Sequence, residues 1–213
     1  NNQRRDGVGH QLILDFDLAL TGTERLHVQF RPLGEENSGG SFWRLNNPQR
    51  YDDNSTGVPQ RWWIEGELQS LFGGWISDEQ LQLDINVTAG RFPMQLHNNL
   101  LMNDEVIGVM LGKNTFTSTP LSNLNVQAFY AFDEVDSFPH NGALYGVHLT
   151  GDYRHAFLEA TFARVERDRA GNSFESNYFA FSGTKFFGPL TLAGRAMFKD
   201  GSGVNNADGQ LFV

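Results

Sequence analysis

No cysteine occurs among the 213 residues, which excludes disulfides, thiolate nucleophiles and thiolate metal sites; such a chain suits export without cross-links and suits the cytosol equally. Long apolar runs are also missing. The longest, VIGVMLG at 106–112, falls far below the ~20 residues a helix needs to span a bilayer. Basic residues are few: 16 Lys and Arg against 25 Asp and Glu give a formal charge of -9. That leaves no basic patch to displace counterions from phosphates, and a general nucleic-acid binder is excluded. The opening NNQRRDGVGHQ lacks the apolar core of a signal peptide. Methionine is scarce, 4 against 18 Phe, a bias towards strands.

What the chain has instead is alternation. In QLILDFDLALTGTERLHVQFR (11–31), Leu12, Leu14, Phe16, Leu18, Leu20, Leu26, Val28 and Phe30 fall on one face. Asp15, Asp17, Arg25, His27, Gln29 and Arg31 fall on the other. Side chains of a strand change face at every residue, so this is a two-faced hairpin turning at TGTE (21–24). Matching the apolar faces sets Asp15 opposite Arg31, Asp17 opposite Gln29 and Ala19 opposite His27. A second hairpin is expected from 61–69 and 81–89, carrying Glu65, Glu67, Asp84 and Asn86 on its polar side.

Further alternating runs at 105–112, 124–133, 143–151, 156–166, 175–185 and 190–199, with a stub at 210–213, give about ten full strands. Many reach about 9 to 11 residues, the length a tilted strand needs to cross a membrane. Arg164 falls on the face set by Ala156, Leu158, Ala160 and Phe162, which calls for a bulge or an exit from the apolar zone. Compact connections near 21–24, 73–79, 115–122, 152–155 and 187–189 alternate with longer polar ones near 33–60, 93–104, 134–142, 167–174 and 200–209. HNNLLMNDEV (97–106) reads as a short helix or a loop folded inward. No linker divides the chain, and 1–213 reads as one domain.

The segment NVTAGRFPMQLHNN (86–99), with Gly90, Arg91 and Phe92 ending a strand, and the following NDEVIGVMLGKN (103–114) carry a resemblance. Together with the strand lengths and loop alternation, they make the chain similar to Gram-negative outer-membrane β-barrels of the porin class. The resemblance implies an all-β, antiparallel up-and-down transmembrane β-barrel in the bacterial outer membrane, with short turns on the periplasmic side. On that topology both chain ends lie outside, where such barrels have periplasmic termini. An internal stretch of a longer barrel is therefore expected.

The resemblance implies a channel passing small hydrophilic solutes, with no cofactor, lipid around the apolar face and a charged lumen. The expected lining is Asp15, Asp17, Arg25, His27, Gln29, Arg31, Glu65, Glu67, Asp84, Asn86 and Arg195. For any one of these, a cross-strand ion-pair ladder worth roughly 0.2–1 kcal/mol per pair is the plainer role. Aromatics near strand ends, among them Trp62, Trp63, Phe72, Trp75, Phe92, Phe132, Tyr145, Tyr153, Phe186 and Phe187, suit two interfacial girdles. His148, Asp152 and His155 lie close together, but no serine sits with them in a nucleophile motif, so no enzyme is expected. YDDNSTG (51–57) and KDGSGVNNADG (199–209) offer oxygen ligands without calcium-loop spacing. The sequons at Asn54 and Asn86 have no expected use. Rival readings are a barrel that sleeves or scaffolds a partner protein, a homo-oligomer, and a soluble carbohydrate-binding β-sandwich.

Overall fold

The computed structural model describes residues 6–20, 22–34, 40–46, 48–72, 84–116, 120–133, 142–169, 172–201 and 209–212. They form fourteen strands and one short helix, and the chain divides into two compact units, Asn1–Trp63 and Ile64–Val213.

In the first unit, β1 (Gly7–His10), β4 (Ser41–Arg44) and β5 (Arg50–Asp52) form a three-stranded antiparallel sheet in the order β1-β4-β5. The sequence reading placed β4 and β5 inside a long polar loop, because strands of four and three residues are too short to show a period. Side chains rather than length hold them. Arg44 Nη2 and Arg50 Nε reach Asp52 at 3.0 and 2.6 Å, and the rings of Trp43 and Tyr51 pack at 4.7 Å. β2 (Leu14–Ala19) pairs with β3 (Arg25–Phe30) as the opening hairpin. The two faces are those expected, but the register is two residues away from the expected one. Asp15 stands opposite Gln29, Asp17 opposite His27 and Ala19 opposite Arg25. The cause is the turn, which Leu20 N–H closes by donating to the Glu24 carbonyl at 2.9 Å.

β6 (Pro59–Glu67) straddles the unit boundary and runs into α1 (Leu68–Phe72), a single-turn helix that alternation did not foretell. The Leu68 N–H donates to Ile85 O at 2.8 Å. The predicted turn at 73–79 and residues 81–83 of the predicted strand 81–89 lie outside the described residues; the described remainder enters a strand only at Asn86.

The second unit is an antiparallel meander in the order β14-β13-β12-β11-β10-β9-β8-β7. Its strands are β7 (Asn86–Leu96), β8 (Met102–Phe116), β9 (Ser122–Asp133), β10 (Gly142–Tyr153), β11 (Ala156–Arg169), β12 (Asn172–Phe187), β13 (Leu190–Gly201) and β14 (Gly209–Phe212). Among the described residues β14 pairs only with β13. Several strands are longer than alternation suggested, since polar residues continue the ladder past the apolar zone. Two connections read as long are consequently short: β7 and β8 are separated by 97–101, and β11 ends at Arg169 where β12 restarts at Asn172. The strict alternation of short and long connections is corrected to that extent.

The two faces of this sheet differ in a way that decides its surroundings. One face exposes Leu111, Tyr130, Leu149, Phe162, Phe181 and Leu192, while the opposite face buries His148, Thr161, Ser176 and Ser182. On β12 the exposed face runs Lys185, Gly183, Phe181, Phe179, Asn177, Glu175, so no charge interrupts the nine residues between Lys185 and Glu175, which stand ten residue steps apart. That is about 33 Å along a strand and about 25 Å at a tilt near 40°, the height of a membrane-barrel apolar band. Arg164 follows the same logic. Its pairing with Tyr145 and Asn177 is in unbroken register, and it bonds Glu166 and Glu175 at 3.0 and 2.6 Å. It is an exit from the apolar zone and not a bulge.

Gly146 on β10 is a point of close packing on the buried face. A Cβ there would stand 2.7 Å from Phe129 Cζ and 2.2 Å from the Phe162 carbonyl oxygen. Gly146→Ala is expected to cost about 1–3 kcal/mol through overpacking, read as a lowered midpoint in a urea titration of the folded protein.

Candidate functional site

The hairpin of β7 and β8 carries the site's central residue at its tip. His97, Asn98 and Asn99 have φ of 52°, 54° and 67°, a left-handed run that asparagine tolerates better than most residues. Backbone bonds from Leu100 N to His97 O and from Leu101 N to Leu96 O, both 3.3 Å, lock the turn. Of the two sequence readings of 97–106, the inward fold holds and the helix does not: three successive left-handed residues cannot belong to a right-handed helix. The tip lies on the buried face of the sheet, which is therefore its inner face. His97 is 1% exposed.

Its imidazole bridges two strands. Nδ1 is hydrogen-bonded with Ser182 Oγ of β12, and Nε2 with Thr161 Oγ1 of β11 at 2.8 Å. The same threonine oxygen meets His148 Nδ1 of β10 at 2.6 Å, and the two imidazoles pack edge to face at 5.7 Å. Thr161 has one hydroxyl proton and two imidazole partners, so it donates to one ring and accepts from the other. The tautomers of His97 and His148 are thereby coupled. His97 lies in the turn outside any strand, and burial, then the positive potential of His148 and Arg195, pull its pKa down from 6.5 to about 4. The ring is neutral at pH 7.

Strand register extends this network into a polar row. Gln127 of β9 pairs with His148, and His148 with Thr161. Two residues further along, Glu159 pairs with Ser182, and Ser182 with Arg195 of β13. Towards the short turns the inner face stays polar, with Asn125 Nδ2 donating to Thr150 Oγ1 at 3.3 Å and Asn123 Nδ2 to Asp152 at 3.0 Å. On the other side of the row it turns apolar: Phe92, Met94, Leu96, Phe129, Leu144 and Val165 are buried there. Phe92 thus belongs to this packing and not to an interfacial girdle, whereas Phe132, Tyr153, Phe186 and Phe187 are exposed near strand ends. Trp63 stacks on His27 at 4.5 Å, and Trp75 lies outside the described residues.

The residues expected to line a lumen separate by unit. In the first, Gln29 Nε2 donates to Asp15 and His27 bonds Asp17 across the hairpin, with Arg25 and Arg31 on the same side. In the second, Glu65 and Glu67 lie on β6, Asp84 is exposed just before β7, Asn86 begins β7, and Arg195 joins the polar row. Sequence reasoning did not single out His97, Thr161, Ser182 or Glu159. A signal for Thr161 existed: a turn centred on Arg154 and His155 sets it opposite His148. His97 and Ser182 carried none, being 85 residues apart. His148, Asp152 and His155 do not form a group. His148 is buried in the row, Asp152 accepts from Asn123, and His155 is exposed in a turn with φ of 67°.

No family model matches the chain, and no curated protein matches it. A solved structure with similarity to it is OmpTdeltaL8, the loop L8 deletion mutant of OmpT, an outer membrane protein of Vibrio cholerae. The TM-score is 0.40 and the sequence identity 13%, covering 96% of this chain and 79% of that one. The expectation that the chain is no enzyme is corrected. It rested on the lack of a serine beside histidine in the sequence, and folding brings Ser182 into contact with His97. Hydroxyl and imidazole in hydrogen-bond contact are the elements from which nucleophile and base pairs are built.

Proposed function

We propose that the chain forms the wall of a transmembrane β-barrel in a bacterial outer membrane and acts as a channel for small hydrophilic solutes. The observation that carries this is the inversion of the second unit's sheet, with aromatic and aliphatic side chains exposed over a band about 25 Å high and hydroxyl and imidazole groups buried behind it. A soluble sandwich packs its apolar face inward, the reverse of this arrangement. Lipid tails are the surroundings in which exposed Phe181, Leu192 and Val109 cost nothing, and a closed barrel is the strand structure that satisfies every backbone group there.

The inner face then meets the solute. Its polar row, from Gln127 to Arg195, offers hydrogen bonds and one permanent positive charge, and the hairpin tip at His97 narrows the path. Solute selection rests on Arg195 of β13 and Glu159 of β11, which carry opposite charges on the two strands flanking β12.

Planar-bilayer conductance of the purified protein tests the reading. Discrete current steps are expected, and Arg195→Glu is expected to move the reversal potential in a salt gradient towards cation preference. A folded, membrane-inserted protein that carries no current would overturn the channel and favour a sleeve around a partner.

A further inference from the structure

At the short-turn end of the second unit's sheet, the outward face changes from apolar to basic. Lys113 of β8 pairs with Val126, and Lys185 of β12 with Leu192, so both continue the face that exposes Leu111 and Phe181. Arg154 lies in the turn between β10 and β11, two residues before Ala156, the cross-strand partner of Lys185. Each cation lies over an aromatic ring: Lys113 over Phe116 at 5.4 Å, Arg154 over Tyr153 at 5.2 Å and Lys185 over Phe187 at 5.0 Å. A neutral ring orients a cation without cancelling its charge, and among the described residues none of the three meets a carboxylate. Between β8 and β13 the carboxylate at this end is Asp152, which shares the inner face with His148 and Thr150 and accepts from Asn123 at 3.0 Å. The far end of the outward face has the reverse charge. Arg164, Glu166, Glu175 and Asp200 share it there, with Arg164 bonded to both glutamates. Lys185 and Glu175 are separated by the height of the apolar band, so the basic groups mark one membrane boundary and the acidic groups the other.

We propose that this basic rim binds the headgroups of anionic phospholipids, with Arg154 and Lys185 converging on one phosphate and Lys113 holding a second lipid. The proposal rests on the membrane-barrel reading and is independent of the channel. Neighbouring strands are about 4.8 Å apart, which lets Arg154 and Lys185 reach the same phosphate, whereas β8 lies four strands from β12, about 19 Å away. The lysine stems lie along the apolar band while their ammonium groups reach the headgroup level, where the amphipathic ring of Tyr153 also belongs. The Arg154 guanidinium matches two phosphate oxygens with parallel hydrogen bonds. A zwitterionic headgroup carries a cation of its own, which this rim repels; a net negative one does not.

The test is native mass spectrometry of the protein released from micelles that hold equal amounts of phosphatidylglycerol and phosphatidylcholine with the same acyl chains. Phosphatidylglycerol adducts are expected to exceed phosphatidylcholine adducts at least ~5-fold, the scale set by basic side chains at an anionic membrane surface. Arg154→Gln combined with Lys185→Gln should bring the ratio close to one. Lys199→Gln removes a cation that lies over the Tyr178 ring on the inner face, and should leave the ratio unchanged. Equal retention of the two lipids by the wild type, or a preference that survives the double variant, overturns the site. A preference for lipid A over phosphatidylglycerol that the double variant removes would give the rim to the lipid of the other leaflet and overturn it as well. Equal retention by a protein that Phe181→Arg destabilises overturns the rim site alone; Phe181→Arg without effect overturns the membrane reading itself.

Discussion

Phe181→Arg is expected to destabilise the folded, membrane-inserted protein by about 2–4 kcal/mol, the depth-dependent cost of a cation at the bilayer midplane of a barrel. Phe181 is 54% exposed, with Ala160 and Ala196 as its cross-strand partners. It lies four residues from Lys185 on one side and four from Asn177 on the other, the midpoint of the apolar run on β12. Lys185→Arg, at the rim, is the comparison and is expected to change stability by no more than about 1 kcal/mol. Guanidinium titration in phospholipid vesicles reads both. Equal, small effects would mean that water and not lipid covers this face, and the membrane assignment would fall with them.

His97→Ala is expected to cost about 2–4 kcal/mol at pH 7. The buried Ser182 hydroxyl loses its imidazole partner, worth about 1–3 kcal/mol, and the missing ring leaves a void. Thr161 keeps His148 and so bears less of the loss. The effect carries a pH signature with a definite sign. The folded-state pKa of His97 is lowered from 6.5 to about 4, so between those values the unfolded chain holds a proton that the folded chain does not. Stability from this residue is complete above about pH 6.5 and declines as pH falls towards 4. Arg195, and His148 if it takes up a proton, oppose protonation, and Glu159, opposite Ser182 in register, is the acidic group on the same face. The stability gap between wild type and His97→Ala should therefore narrow from pH 7 to pH 5; unfolding curves that shift in parallel would rule out a titrating, buried His97.

How far the sequence foretold this depends on the range over which each feature is encoded. Strands β9 to β13 and both faces of the opening hairpin are written in period-two alternation, a local signal, and their centres come out where the pattern sets them. Strand ends are not, because the ladder continues through residues such as Asn172 and Ser173 whose polarity reads as loop. Register escapes alternation as well: a slip of two residues leaves every face unchanged, and so the opening hairpin kept its sides while Asp17 met His27 in place of Gln29. The candidate site is the least legible part. Arg195 could be picked from its face, but His97 and Ser182 become partners only when the sheet curls and the hairpin tip turns inward.

The same distance gives the histidine a part in assembly. Its hydroxyl partners follow it by 64 and 85 residues, so closing them costs more chain entropy than the local turns do. The β7–β8 hairpin can form from neighbouring residues alone, holding an imidazole without its hydroxyls until β11 and β12 arrive. A two-residue slip of β12 that sets Ala180 where Ser182 belongs leaves its faces intact but removes the hydroxyl. The imidazole thus reads the one error that hydrophobic patterning is blind to, proofreading the register of late strands against an early one.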